Sequence, residues 1–346
     1  MLRAKADKVD SLIREIFNKL EVDKVITDYA ARGILHTSLR GVDTHGLRLL
    51  HHYVQGMKEG RINKKPNIKF TSNSIATSIM DADHSLGYSA GMIAMKKAIE
   101  IAKQFGIAAV SVKNSSHCGA LSYYCEEAAK NDMIGMAFTH ATSKLKTPNS
   151  KKEFFGTNPI CFCAPMENNK SVCFDSAQSF ISFHEVLDSR VEGRELKKNI
   201  AADEHGNLTD NPNQATQLIP IGDYKGFGYA MFVDILCGLL TGMNTGDKVT
   251  KMYAPMNEKR FLGQFFMAIK IDVFEDINLF KKRLSNLCNR IHKLPSKDGK
   301  IYIPGEKELE IFNDRIANGI PLSQSDFEKI NMLQEEFNIE NIINDD

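Results

Sequence analysis

Between residues 4 and 37 apolar side chains recur at three- and four-residue spacing: Val9, Leu12, Ile13, Ile16 and Phe17, then Val22, Val25, Ile26, Tyr29, Ala30, Ile34 and Leu35. That period stacks them on one face of a helix, and it predicts two or three helices closing at a turn on Gly41. A further helix is predicted from Leu47 to about Glu59, ended by Gly60. Residues 62–77 carry Pro66 and alternate polar with apolar positions, which predicts extended chain. The pattern then changes to short apolar runs separated by helical stretches. Strands are predicted at 79–83, 107–112, 133–139, 160–164, 171–174 and 265–273, with helices at 85–105, 122–130, 230–240, 275–293 and 323–336. The 230–240 stretch is almost wholly apolar and reads as core. Residues 186–219 break the rhythm. They are polar, carry Gly193, Gly206, Asp210 and Pro212, and predict a long surface excursion with one short helix. A short strand and turn is predicted at 301–306, and the acidic end, 344–346, is expected to fray.

A chain of 346 residues is long for one simple core, which predicts two lobes or domains. Apolar content of 42% and charged content of 25% suit a globular protein. The net charge of +1, from 44 basic and 43 acidic residues, supplies no drive toward nucleic acid or an anionic membrane. No run approaches the ~18 apolar residues of a membrane span, and the charged start from Met1 to Lys8 lacks the apolar run of a signal peptide. Seven cysteines without a framework of spacings argue for a reducing, cytoplasmic setting. Cys161 and Cys163 read as small apolar residues on one strand face, not as metal ligands, and no metal is expected.

Candidate chemistry concentrates where these elements end. Thr44, His45, Gly46 and Arg48 put a hydroxyl, an imidazole, a close-approach glycine and a guanidinium within five residues. Imidazole moves protons near neutral pH, and a guanidinium fork suits a carboxylate. The same residues also read as a helix boundary, with Asp43 or Thr44 as N-cap. At the end of the 107–112 strand comes Lys113-Asn114-Ser115-Ser116-His117-Cys118-Gly119-Ala120-Leu121, a polar loop feeding a helix, where open α/β sheets place ligands. His117 there either carries a proton or bonds the backbone. Asp175-Ser176-Ala177 follows another strand, and Gly156-Thr157-Asn158-Pro159 exposes a hydroxyl and an amide. Lys225, between Gly222 and Gly226, reads equally as a phosphate clamp or a simple turn. No G-x-G-x-x-G, P-loop, H-E-x-x-H or G-x-S-x-G is present, so Rossmann, kinase, zincin and α/β-hydrolase readings lose support.

Six of these motifs stand in one order: Asp43-Thr44-His45-Gly46, Asn114 to Ala120, Gly156 to Pro159, Asp175-Ser176-Ala177, Tyr224-Lys225-Gly226 and Pro304-Gly305-Glu306. Together they resemble the type 2 malate/L-lactate dehydrogenase family, over roughly residues 5–335. That family includes ureidoglycolate, sulfolactate, diketogulonate and piperideine-2-carboxylate enzymes. The resemblance implies an α/β, non-Rossmann, sulfolactate-dehydrogenase-like fold, a mixed sheet flanked by helices with a mainly helical second lobe from both chain ends. The implied division is a helical lobe at 1–75, a cofactor-binding domain at 76–284, and a segment at 285–346 packing back on the first lobe. It implies an NAD- or NADP-dependent dehydrogenase acting on a small 2-oxo or 2-hydroxy acid, as a homodimer. His45 and His117, with Thr44, are the implied catalytic groups. Arg48 and Thr157 are implied on the substrate side. Cys118, Gly119, Ala120, Leu121, Asp175, Ser176, Ala177, Lys225, Gly226, Pro304, Gly305 and Glu306 are implied around the cofactor. The chain departs from the family pattern at Cys118, at His140-Ala141 and at Ser176 and Gln178. Those departures leave two alternatives, a cyclic imine carboxylate reductase or a catalytically silent homologue kept as a binding subunit.

Overall fold

The computed structural model describes residues 2–340, and the acidic end lies outside them. Its central sheet has seven strands: β2 (Lys69–Ser74), β3 (Thr77–Asp81), β4 (Ile107–Ser115), β5 (Met133–Thr139), β8 (Ile160–Pro165), β9 (Ser171–Ser176) and β12 (Leu262–Lys270). Their spatial order is β2-β3-β4-β12-β5-β8-β9. Only β3 and β4 pair in parallel; every other neighbour is antiparallel, so the sheet is mixed. Helices α4 (Gly87–Phe105) and α5 (Ser122–Lys130) cover one face. Two-residue strands β1 (Arg3–Ala4) and β13 (Ile320–Pro321) pair antiparallel and join the two ends of the chain.

The N-terminal helices form as their spacing requires. In α1 (Ala6–Lys19), Val9, Leu12, Ile13, Ile16 and Phe17 are all buried. Helix α2 (Lys24–Leu39) starts at Asp23, whose carboxylate accepts from the Val25 and Ile26 N–H groups. The region predicted as one helix from Leu47 is a 3-10 turn, Leu47–Leu49, running into α3 (Leu50–Lys58). One core cluster extends from Ala4 through Val112 to Leu333, so the terminal helices and the sheet share their apolar interior. Helices α8 (Ile277–His292), α9 (Glu306–Asn318) and α10 (Gln324–Phe337) complete the C-terminal segment. Ion pairs Arg315–Asp43, Arg48–Asp326 and Lys58–Glu336 cross from it to the N-terminal helices.

Three expectations need correction. The 186–219 excursion is a folded annex. There β10 (Ala201–Ala202), β11 (Gln217–Leu218), β6 (Leu145–Lys146) and β7 (Glu153–Phe155) form a second sheet in that order. With α6 (Phe183–Glu192) it buries its own core around Phe155, Val186, Leu196 and Leu218. Strands of two residues are too short to show an alternation in sequence. The apolar 230–240 stretch is not uniformly core. Helix α7 (Tyr224–Asp234) and the wider π turn after it, Ile235–Leu239, bury Val233 and Cys237 against the sheet. Phe232 is 46% exposed and Leu239 65% exposed. At 301–306 there is no strand; the turn leads straight into α9.

Candidate functional site

A cavity of about 1520 Å³ opens between the sheet ends, the annex and the N-terminal helices. That is above the roughly 300–1,000 Å³ of most small-ligand pockets. Several sequence-predicted residues reach its wall: Thr44, His45, His117, Cys118, Gly119, Ala120, Thr157, Asp175 and Ala177. Arg48, Leu121, Ser176, Lys225, Gly226, Pro304, Gly305 and Glu306 do not line it.

His45 closes a 3-10 turn, Asp43–His45, at the end of α2. Arg315 grips Asp43 with both terminal nitrogens, and the Tyr88 hydroxyl donates to the His45 carbonyl at 2.7 Å. The turn is therefore fixed from two sides. Thr44 Oγ1 and His45 Nδ1 share a hydrogen bond of 2.7 Å. His117 leaves the end of β4 in a loop held by Ser116, whose hydroxyl donates to the Ser85 carbonyl and accepts from the Gly87 N–H. Gly119 has φ +63°, and a Cβ there would fall 1.9 Å from the Tyr88 hydroxyl, so no other residue fits the loop. The His117 Nδ1 bonds the Tyr53 hydroxyl at 2.8 Å.

The two imidazoles meet as a stacked pair, ring centroids 5.3 Å apart. Burial, aided by His184, pushes His45 down to about 4. Burial, then His45 and Arg260, push His117 well below the usual histidine range. Both are neutral at pH 7, and charging one disfavours charging the other. The pair therefore offers one proton-accepting position to whatever enters the cavity.

The two arginines contrast. Arg48 is committed: its Nη1 donates to both Asp188 oxygens at 3.0 and 3.1 Å, and its Nε faces Asp326. One positive charge against two carboxylates leaves no attraction for a further anion. Arg260 is 4% exposed and lines the cavity; its Nη2 donates to Thr142 Oγ1 at 3.3 Å, while Nε and Nη1 have no protein partner. Burial and nearby Arg61 lower it to about 10, so it stays charged at neutral pH. A buried guanidinium with no carboxylate partner beside a cavity attracts an anion, although its Nε and Nη1 have almost no accessible surface of their own.

Sequence reasoning missed Arg260, His184, Tyr253 and Lys144, all on the cavity wall. His184 Nε2 bonds the Tyr253 hydroxyl at 3.1 Å, and its ring lies 6.4 Å from His45. Its signal was present: Ser182 and Glu185 have the spacing of a capping box, and Ser182 Oγ accepts from the Glu185 N–H at the start of α6. Arg260 carries no local signal. With Lys259 it reads as an ordinary basic pair before an apolar strand, and it gains meaning only from its missing carboxylate.

Two departures from the family pattern, His140 and Ala141, join the cavity wall, and the His140 Nδ1 has no hydrogen-bond partner there. His140 is buried, its Nε2 accepts from the Gly263 N–H at 3.0 Å, and its Nδ1 lies 3.7 Å from Asp234 Oδ1. Asn158 accepts from the Ala141 N–H and donates to the Ala230 carbonyl, which joins the wall around Thr157 to α7. The cavity combines aromatic surface at Phe154, Phe155 and Phe227 with hydroxyls at Thr142, Ser143 and Thr147 and ammonium groups at Lys144, Lys152 and Lys251. That donor set fits a dinucleotide: flat apolar walls for rings, hydroxyls for ribose, cations for phosphate.

Comparisons with known proteins agree in kind. A family model described as malate/L-lactate dehydrogenase matches residues 4–331. The chain is 31% identical over 332 residues to a malate/(S)-sulfolactate dehydrogenase of Methanothermus fervidus, covering 95% of this chain and 96% of that one. It is 29% identical over 280 residues to an NAD(+) ureidoglycolate dehydrogenase of Escherichia coli K12, covering 80% of each. The solved sulfolactate dehydrogenase of Methanocaldococcus jannaschii superposes with a TM-score of 0.91 at 29% identity, over 99% of this chain and 98% of that one.

Proposed function

Because this chain belongs to the malate/L-lactate dehydrogenase family, we propose that it transfers a hydride between NAD and the carbonyl carbon of a small 2-oxo acid, the reverse being oxidation of the 2-hydroxy acid. The observation that carries the reading is the stacked His45–His117 pair sharing one cavity with the unpaired guanidinium of Arg260. When bound, the nicotinamide supplies or accepts the hydride; the protein must hold the acid and move one proton.

Arg260 binds the substrate carboxylate, and this assigns to it the role first expected of Arg48. Its charge draws the carboxylate to that wall, which sets the face the carbonyl carbon presents. His45 takes the hydroxyl proton in oxidation and returns it in reduction. Thr44 holds its Nδ1, which leaves Nε2 for the substrate. Tyr53 orients His117, which shapes the other side of the carbonyl. Lys144, half-buried and over the Phe183 ring at 4.3 Å, adds a second cation to the wall.

The setting we propose is a cytoplasmic homodimer. No helix among the described residues is long and apolar enough to cross a membrane. The exposed apolar stripe of Tyr229, Phe232, Ile235, Leu239 and Leu240 is the surface that a second copy would cover. We read the division at 1–75, 76–284 and 285–346 as a central body that takes the cofactor with the terminal segments beside it, a reading supported by the pairing of β1 with β13. Lys225 stands exposed on the first turn of α7, beside that stripe.

The test is a screen of 2-oxo acids and cyclic imine carboxylates with NADH and NADPH, alongside calorimetry of each cofactor. NADH binding and turnover of an open-chain 2-oxo acid are expected. Turnover confined to an imine would move the chain to the other reductase class. Binding of neither cofactor and turnover of no acid would end the dehydrogenase reading and leave a silent binding subunit.

A further inference from the structure

The pairing of β8 with β9 sets Cys163 directly opposite Cys173. Directly opposed residues of an antiparallel pair point to the same face, and here the two sulfurs are bonded, with Cα atoms 4.3 Å apart. The sequence reading had Cys163 as a packing residue; the register makes it half of a pair. Cys163 is fully buried, whereas Cys173 lies on the wall of the large cavity. Two residues along the same face, Asp175 also lines the cavity and accepts from the Ser122 N–H at the start of α5. On its other side Cys173 donates its N–H to the Pro304 carbonyl, and a Cβ added at Gly305, at φ +95°, would fall 3.2 Å from the Cys173 Cβ. The turn resembling the family's Pro-Gly-Glu motif is thus the backing of this cysteine.

We propose that Cys163 and Cys173 form a reversible thiol–disulfide exchange site for low-molecular-weight disulfides, entered from the cofactor cavity through Cys173. The location of the cofactor rests on the dehydrogenase reading above; the exchange chemistry does not. In the reduced protein the Cys173 thiol gives its proton to solvent in the cavity. Its thiolate attacks one sulfur of glutathione disulfide, and glutathione thiolate leaves with the bonding pair and takes up a proton. The Cys163 thiol then loses its proton, attacks the Cys173 sulfur, and expels the second glutathione. Two protein thiols become one disulfide while one glutathione disulfide becomes two glutathione thiols, and the sequence runs backwards under excess glutathione. Cys118 also lines the cavity, but it lies outside the group of Cys161, Cys163 and Cys173, so an adduct there has no second thiol to resolve it. The other free cysteines are buried away from the wall.

The experiment uses the full chain, reduced and desalted, then exposed to glutathione disulfide. Mass spectrometry should show loss of two hydrogens and a peptide linking 163 to 173, both reversed by glutathione. Cys163→Ser should stop at a single glutathione adduct on Cys173, and Cys173→Ser should take up none. NADH at about 100 times its Kd should slow the reaction roughly 100-fold, because a filled cavity leaves about one molecule in a hundred open. If NADH does not bind, the dehydrogenase reading fails, and the adduct pattern of the two variants still decides the exchange site. Adduct on Cys118, adduct on Cys163 in the Cys173→Ser protein, or two thiols that survive unreacted would overturn it. So would stoichiometric zinc removed by a chelator, since the Cys161, Cys163 and Cys173 sulfurs lie within 4.8 Å of one another.

Discussion

At the residue scale, two pairs of look-alike side chains are separated by their surroundings. Arg48 and Arg260 carry the same group, but one faces two carboxylates and the other faces a cavity. Arg260→Ala is expected to raise the KM for a 2-oxo acid by about 30-fold or more, since truncating one partner of a buried charge pair costs about 2–5 kcal/mol. Its unfolding midpoint in urea should hardly move. Arg48→Ala is expected to do the opposite, lowering the midpoint because it leaves Asp188 and Asp326 facing each other unpaired, with a smaller effect on KM. A swap of those two outcomes in steady-state and urea measurements would return the carboxylate to Arg48. The histidines are separated the same way. His45→Ala should lower turnover by ~10²-fold or more, the scale of a lost general acid or base, and erase one limb of the pH–rate profile while NADH affinity holds. His117→Ala should weaken substrate binding and keep that limb. The limb disappearing with His117 instead would reverse the assignment.

At the scale of elements, α6 shows what a cap does for a site. It carries His184 toward the cavity and Asp188 toward Arg48, and Ser182 alone caps its start. Ser182→Ala should cost about 1 kcal/mol, visible as a lower melting temperature and, if α6 frays, as faster amide exchange from Phe183 to Val186. Unchanged exchange there would mean that packing of Val186, not the cap, fixes the helix. The same element marks the border of what the sequence discloses. Long periodic helices and apolar strands were legible, because period and burial coincide over many residues. So were the places where elements end, with His45, His117, Thr157 and Asp175 reaching one cavity. The annex was not, since its strands run two or three residues, and neither was α9, hidden behind a Pro-Gly turn. Nor could the sequence show that Arg48 is spoken for: its partners lie 140 and 278 residues away. The outward face of α7 was misread for a related reason. Apolar composition marks a surface that wants covering, but not whether this chain or another covers it.

At the scale of the whole molecule, buried imidazoles set the acid limit of stability. Burial lowers His36 and His140 to about 3 and His45 and His52 to about 4, and His117 falls well below its usual range. In the unfolded chain each titrates near 6.5. Below that pH the unfolded state therefore binds more protons, so stability falls with pH. The stabilisation is complete above about pH 6.5 and is lost progressively down to the folded values near 3 to 4. Each histidine contributes at most ~1.4 kcal/mol per pH unit inside that window. Three carboxyls oppose this, Glu126 among them, which burial raises above the usual carboxylate range. Burial raises Asp234 and Asp175 to about 6, so the folded state holds their protons more tightly and gains stability as pH falls from about 6 to about 4. Asp175, His45 and His117 all open onto the cavity, where water weakens their shares. The lowered imidazoles outnumber the raised carboxyls, which leaves a net loss that grows as the unfolded chain's imidazoles take up protons below about pH 6.5. Urea midpoints measured from about pH 8 to about pH 5 should be level above neutrality and fall steadily below it. Bound NADH should leave the slope from His36 intact, because that ring lies between α2 and α5, beside Tyr123 and away from the cavity wall. A midpoint that holds or rises toward about pH 5 would show that these imidazoles accept protons in the folded state, and with it would go the neutral His45–His117 pair on which the proton transfer depends.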